Sequence, residues 1–237
     1  MNRRGILGFL AAAPLLSGCL ALEPRYTYSY RLSVTIDVDG IVKRASTVIE
    51  AGWVRTSFHL WDGSEKYFPI AIGDAVTFDF GGGKYLFALL VPPINRSGFH
   101  VLFSHKALAQ YLPRTIRGDL PSAYKDPERF VNAIGAIAET CFVPKEQWPV
   151  FAAFDDIMDP RTVREAPVQV KEVTMEIMNA PVTRGIDKVL PWLAGRRRSF
   201  FGGAKPLVDY PVPDHPLGGQ LIPEAFEIYV YTNDVDF

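Results

Sequence analysis

The chain has 237 residues and only two cysteines, Cys19 and Cys141. A disulfide framework of the kind that staples small secreted domains is therefore excluded, and the fold must rest on packing. Charge of one sign is also missing: 25 basic residues stand against 26 acidic ones. So even a balance gives no footprint for nucleic acid, which is not expected as a partner. No apolar run approaches the roughly 20 residues that a spanning helix needs. The four histidines, His59, His100, His105 and His215, contain no pair three or four residues apart, so a helical zinc motif is absent. If 99–105 is one strand, His100 and His105 fall on opposite faces. No Gly-x-Ser-x-Gly elbow, Ser-x-x-Lys pair or local cysteine–histidine arrangement is present. The glycines at 81–83 precede a lysine but no Gly-Lys-Ser/Thr, and a strand follows them, so they read as a turn and not as a phosphate cradle. No cofactor or metal is expected.

What is there begins with the first 18 residues. Arg3 and Arg4 precede an apolar run from Ile6 to Leu16, too short to span a bilayer and laid out as a secretory signal. Leu16-Ser17-Gly18-Cys19 resembles the lipobox of bacterial lipoproteins. That resemblance implies cleavage after residue 18, alkylation of the Cys19 thiol with diacylglycerol, and acyl chains such as palmitate. Small residues at 17 and 18 give a peptidase room, and two or three chains hold durably where one holds marginally. Leu20 is not the aspartate that resembles an inner-membrane retention signal, so the periplasmic side of the outer membrane is favoured. Asn2 to Leu7 is compatible with either general or twin-arginine export.

Residues 19–237 are expected to form one α+β domain, mainly antiparallel sheet with one well-defined helix packed on it. From Tyr26 to Val38, apolar and polar residues alternate over a long half-buried strand. Asp39-Gly40 makes the turn and 41–54 the returning arm. A second hairpin is predicted over 75–91, ending at Pro92-Pro93, and weak helical character over 104–111. Asp126 as cap and Pro127 at the first position open a helix expected to run over 127–140, with Phe130, Ile134, Ile137, Ala138 and Cys141 on one stripe. Cys141 reads as a buried structural thiol. Strands are expected over 150–154 and 170–178, a short helix over 185–190 stopped by Pro191, and a closing strand over 226–231. The glycine- and proline-rich segment 196–223 reads as surface chain.

Asp155, Asp156 and Asp159 gather carboxylates at the end of a predicted strand. They lack the ligand spacing of a calcium loop, and Asp159 before Pro160 reads as a cap. They remain the candidate ligand-binding or catalytic residues. Arg196, Arg197 and Arg198 beside Trp192 are a candidate contact with anionic lipid, weighed against a solvated loop.

Phe154-Asp155-Asp156-Ile157-x-Asp159-Pro160-x-Thr162-Val163 and Ala180-Pro181-Val182-Thr183-x-Gly185-Ile186-x-Lys188-x-Leu190-Pro191-Trp192-Leu193, with the tyrosine-rich hairpin and Phe87 to Leu90, resemble a family of uncharacterised proteobacterial proteins, many of them expected to be lipoproteins. The resemblance implies no activity and no site residues. The sequence thus points to a non-enzymatic envelope lipoprotein that binds an envelope protein, a small molecule or an incoming toxin. The alternative is a periplasmic hydrolase or metal-dependent enzyme using the three aspartates.

Overall fold

The computed structural model describes residues 25–56, 66–89, 101–117, 126–193 and 227–228. The N-terminal cysteine and its lipobox, His59, His100, His215, the arginines at 196–198 and most of the segment after Leu193 lie outside these residues.

Alternation at the N-terminal end produces what it predicts. β1 (Arg25–Val38) buries Tyr28, Tyr30, Leu32, Val34 and Ile36 on one face and leaves the intervening polar side chains on the other. β2 (Ile41–Thr56) returns antiparallel in unbroken register, with Val38 opposite Ile41. Asp39 and Gly40 both have positive φ, 52° and 81°, which is the type I′ geometry whose twist matches that of the flanking strands. Further down the hairpin, a Cβ on Gly52 would meet the backbone oxygen of Tyr26 at 2.0 Å. Only glycine lets the two strands approach there.

β3 (Lys66–Asp74) adds to the far half of β2, Glu50 opposite Ile72 and Thr56 opposite Lys66. After Ala75 the chain continues as β4 (Val76–Asp79), which has left the first sheet and pairs with β5 (Tyr85–Ala88) instead. The glycines at 81–83 form the exposed turn between them. α1 (Val101–Ala109) and the short α2 (Arg114–Arg117) follow, then α3 (Pro127–Gly135). His105 therefore sits on a helix, and the conditional reading of 99–105 as a strand does not hold.

α3 starts as expected: the Asp126 carboxylate accepts from Arg129 N at 3.1 Å, and Pro127 occupies the first turn. It stops five residues short of Thr140. Gly135 is a poor helix former, and the β-prone residues beyond it are drawn into a sheet. β6 (Cys141–Phe142) pairs with β9 (Gln169–Ile177), Cys141 opposite Met175. The stripe is correspondingly shorter, with Phe130 and Ile134 buried, Ile137 partly so and Ala138 exposed. Tertiary pairing has overridden helical periodicity here.

β7 (Phe151–Phe154) and β8 (Val163–Glu165) complete the second sheet, and β10 (Glu227–Ile228) pairs with the end of β3. The result is a long sheet in the order β10-β3-β2-β1-β9-β6 and a small one in the order β4-β5-β7-β8, all antiparallel. The expected helix at 185–190 is a single 3-10 turn, Ile186–Lys188, and Pro191 opens another instead of ending the structure.

One core joins the layers. The inner face of β1 and β2 packs against α1, α3 and β4, and residues of β5 and β7 belong to the same core. Each aliphatic side chain so buried contributes about 1.5–3 kcal/mol. Cys141 is buried as expected, and burial pushes its thiol up to about 11, so it is a packing residue with little thiolate character.

Candidate functional site

The aspartates between β7 and β8 are held by a turn built from their own neighbours. Asp159 caps the 3-10 turn Pro160–Thr162: its carboxylate accepts from Arg161 N at 2.9 Å and grips the Arg161 guanidinium, with Nη2 to Oδ2 at 2.7 Å. These hydrogen bonds from Arg161, side chain first and backbone second, lower the Asp159 carboxyl to about 2. Asp156 Oδ1 accepts from Met158 N at 2.9 Å, an Asx turn. The Thr162 hydroxyl accepts from Asp156 N and lies 2.8 Å from the carbonyl oxygens of both Asp156 and Asp159. Asp155 points elsewhere, to an exposed ion pair with Arg164 at 2.8 Å.

The three carboxylates therefore do not converge. Each faces a backbone amide or an arginine two to nine positions away, an arrangement that forms a loop and leaves no shared oxygen cage. Among the described residues no group of three histidine, cysteine or acidic side chains is placed to hold a metal ion. Beside the exposed Asp155, Asp156 and Arg161, the turn also exposes an apolar side chain, Met158, 62% accessible.

The least ordinary polar groups are inside. Ser104 and His105, adjacent on α1, are buried against the long sheet. The His105 ring stacks on Trp53 of β2 with centroids 4.5 Å apart and planes at 8°, and meets the edge of Phe130 of α3 at 5.1 Å. Tyr28 closes the group, its hydroxyl 2.9 Å from Ser104 Oγ. Nε2 of His105 is buried with no hydrogen-bond partner. Desolvation pushes the imidazole down to about 3, so it is neutral across the ordinary pH range. The same burial raises the phenols of Tyr28 and Tyr30 well above their usual range. A neutral histidine walled by aromatics packs and does not accept protons at neutral pH.

Asp74 is another buried polar residue, and no sequence pattern singled it out. It ends β3, where the chain changes sheets. Its Oδ2 accepts from Ile186 N at 3.0 Å across 112 positions of sequence, while Oδ1 is buried with no partner. Burial raises its carboxyl above the usual value, partly offset by the Ile186 amide. Its evident work is to fasten the 183–193 segment, whose Ile186, Leu190 and Leu193 enter the core. Thr183 helps by taking both backbone groups of Val48: its Oγ1 accepts from Val48 N at 2.8 Å and its N–H donates to Val48 O at 3.0 Å.

Among the described residues, the outer margin of β2 from Val48 back to Ile41 has no partner strand. β3 covers only Glu50 to Thr56. Because the two-residue turn makes Val38 and Ile41 a hydrogen-bonded pair, Lys43, Ala45 and Thr47 also turn their backbone groups toward β1. Val42, Arg44, Ser46 and Val48 turn theirs outward. Thr183 occupies Val48; among the described residues nothing hydrogen-bonds the outward groups of the other three. Ile41 and Val42 are 56% and 61% accessible beside them. Among the described residues this open margin, at the end of the hairpin remote from Arg25, is the surface feature most open to a partner. Its sequence sign was an apolar pair immediately after Asp39-Gly40, where alternation calls for one polar residue. Comparison with family models, with curated proteins and with solved structures returns no match.

Proposed function

We propose that the protein is an exported lipoprotein, anchored through lipid on Cys19 to the periplasmic side of the envelope, preferably the outer membrane, and that its domain is a non-enzymatic binding or accessory module. The observation that carries this reading is the open margin of β2. β1 begins six residues after Cys19 and runs to Val38, about 40 Å at roughly 3.3 Å per residue. An anchor at one end of such a strand leaves the open margin at the other, facing away from the bilayer toward envelope partners. The described residues contain no helix long and apolar enough to cross a membrane. The enzymatic alternative loses its carrier once Asp155, Asp156 and Asp159 are engaged in a turn.

The anchor is tested by Cys19→Ser in the full chain, followed by palmitate labelling and separation of membranes. Loss of label, retention of the precursor and release from the membrane are expected. Unchanged labelling and membrane association would remove the anchor from the proposal. Co-purification from detergent-solubilised envelopes, compared between the wild type and Val42→Asp, tests the module. One envelope protein recovered with the first and lost with the second is the expected result.

A further inference from the structure

The margins of the two sheets are not treated alike. β6 is two residues long, and its outward backbone is closed by side chains from the end of α1: the Tyr111 hydroxyl accepts from Phe142 N at 2.7 Å, and Gln110 Nε2 donates to Phe142 O at 3.0 Å. The part of β9 beyond β6 carries Gln169, Lys171 and Glu172, and Lys171 pairs with Asp37 at 3.1 Å. β8 is three residues long with Arg164 and Glu165 exposed. Short length, charge and side-chain caps are the devices by which sheets avoid unwanted pairing. The β2 margin from Val42 to Ser46 is neither short nor capped among the described residues, and Arg44 is its one exposed charge. Its one lysine, Lys43, is drawn inward, Nζ donating to Asp79 O and lying 4.3 Å from the centre of the Phe80 ring. An extended piece of chain already docks on the same margin, at Val48, through Thr183.

We infer that the β2 margin from Val42 to Ser46 takes up an extended peptide segment of another protein by strand addition, and that the segment carries an acidic side chain with an apolar one two positions later. This rests on the binding-module reading above and specifies its chemistry. Added antiparallel, the guest strand meets outward N–H and C=O groups at Val42, Arg44 and Ser46, the pattern that β3 uses further along. The side chains of these residues share the sheet face that bears Asp37, Thr35 and Ser33 on β1. Arg44 is exposed and forms no ion pair or hydrogen bond among the described residues. A glutamate opposite Arg44 complements it, and an apolar residue opposite Val42 covers the exposed apolar side chain. A second copy of this chain is a poor occupant: antiparallel self-pairing over these residues sets Arg44 against Arg44.

The test uses the full chain and two synthetic peptides, acetyl-Thr-Thr-Glu-Thr-Val-Thr-amide and its counterpart with lysine in place of glutamate, read by amide hydrogen exchange. In the free protein, the amides of Val42, Arg44 and Ser46 exchange quickly while those of Lys43, Ala45 and Thr47 are protected. Millimolar glutamate peptide slows the first set about tenfold, the lysine peptide does not, and Arg44→Glu exchanges the two preferences. Ser46→Pro, which deletes one outward N–H and spares the β1 pairing, weakens the response. Fast exchange unaffected by either peptide, or a response indifferent to charge, would overturn strand addition while leaving the binding module standing. Protection that grows with protein concentration alone would replace the guest by a second copy. Amides already slow in the dilute free chain would show the margin covered, and would remove the support for the module as well.

Discussion

Two regions gather the polar residues that attract notice in this chain, and they handle them in opposite ways. Around Trp53 the polar atoms are inside: a histidine and a serine on α1 are sealed among Tyr28, Trp53 and Phe130, with Nε2 of His105 left without a hydrogen-bond partner. Between β7 and β8 they are outside, and every carboxylate has found a neighbour. A partner missing inside costs stability, whereas partners present outside contribute little, because water was the alternative. Polar density in the sequence therefore marked the region with the smaller energetic stake. The larger stake lies in a single histidine that no motif distinguished.

The largest effect expected from this contrast is at Trp53. It is fully buried, stacks on His105 and meets the edge of Phe130 at 5.3 Å. Trp53→Ala removes a large aromatic from the seam between β2, α1 and α3, and loses about 3–5 kcal/mol of stability, measured by urea unfolding followed by far-ultraviolet circular dichroism. A loss below about 1 kcal/mol would mean that this seam is not packed as described, and the contrast with the turn would fall.

Next comes a pH effect confined to the interior. His105 is pushed down to about 3 from an ordinary value near 6.5. Between those values the unfolded chain binds the proton and the folded chain does not, so stability rises with pH across this window. The full contribution is present above pH 6.5 and is lost on acidification at about 1.4 kcal/mol per pH unit. His105→Phe keeps an aromatic ring on Trp53 and removes the titration. It should match the wild type at pH 7 to within about 1 kcal/mol, and exceed it by about 2–3 kcal/mol at pH 4.5. Parallel stability curves for the two proteins between pH 7 and pH 4.5 would show that the ring takes up its proton while folded.

What could be read in advance was local. The tyrosine-rich alternation of β1, the Asp39-Gly40 turn and the Asp126-Pro127 helix start each act within a few residues, and each stands where expected. The three carboxylates beside Pro160, Arg161 and Arg164 carried their own explanation in sequence, since their partners are at most nine positions away. Long-range events left no such trace. Nothing within 66–74 announces a strand that changes sheets at Ala75, nor that Asp74 will hold Ile186. Cys141 continued a helical stripe, and only the partner Met175, far along the chain, turned it into a strand. The open margin of β2 is legible only as a departure from alternation at Ile41-Val42, which acquires meaning once β3 is seen to stop at Glu50.

The smallest effect sharpens the comparison most, because it separates a turn from a site. Asp159→Ala removes a cap and a two-oxygen grip on Arg161, and should lower stability measurably but far less than Trp53→Ala. Asp155→Ala removes only an exposed pair with Arg164, and such pairs contribute roughly 0–1 kcal/mol. Because hydrogen bonds from Arg161 hold Asp159 near pH 2, its contribution is complete above about pH 4 and disappears as the pH falls through 2. The Asp159→Ala deficit should therefore be constant from pH 7 to pH 5 and shrink only below that, well under the window in which His105 acts. Partner recovery from solubilised envelopes should be indifferent to Asp155→Ala. If that substitution left stability untouched yet abolished recovery, the exposed carboxylate would be spending its charge on a partner and not on Arg164. The turn would then have to be counted, with the β2 margin, as part of the binding surface.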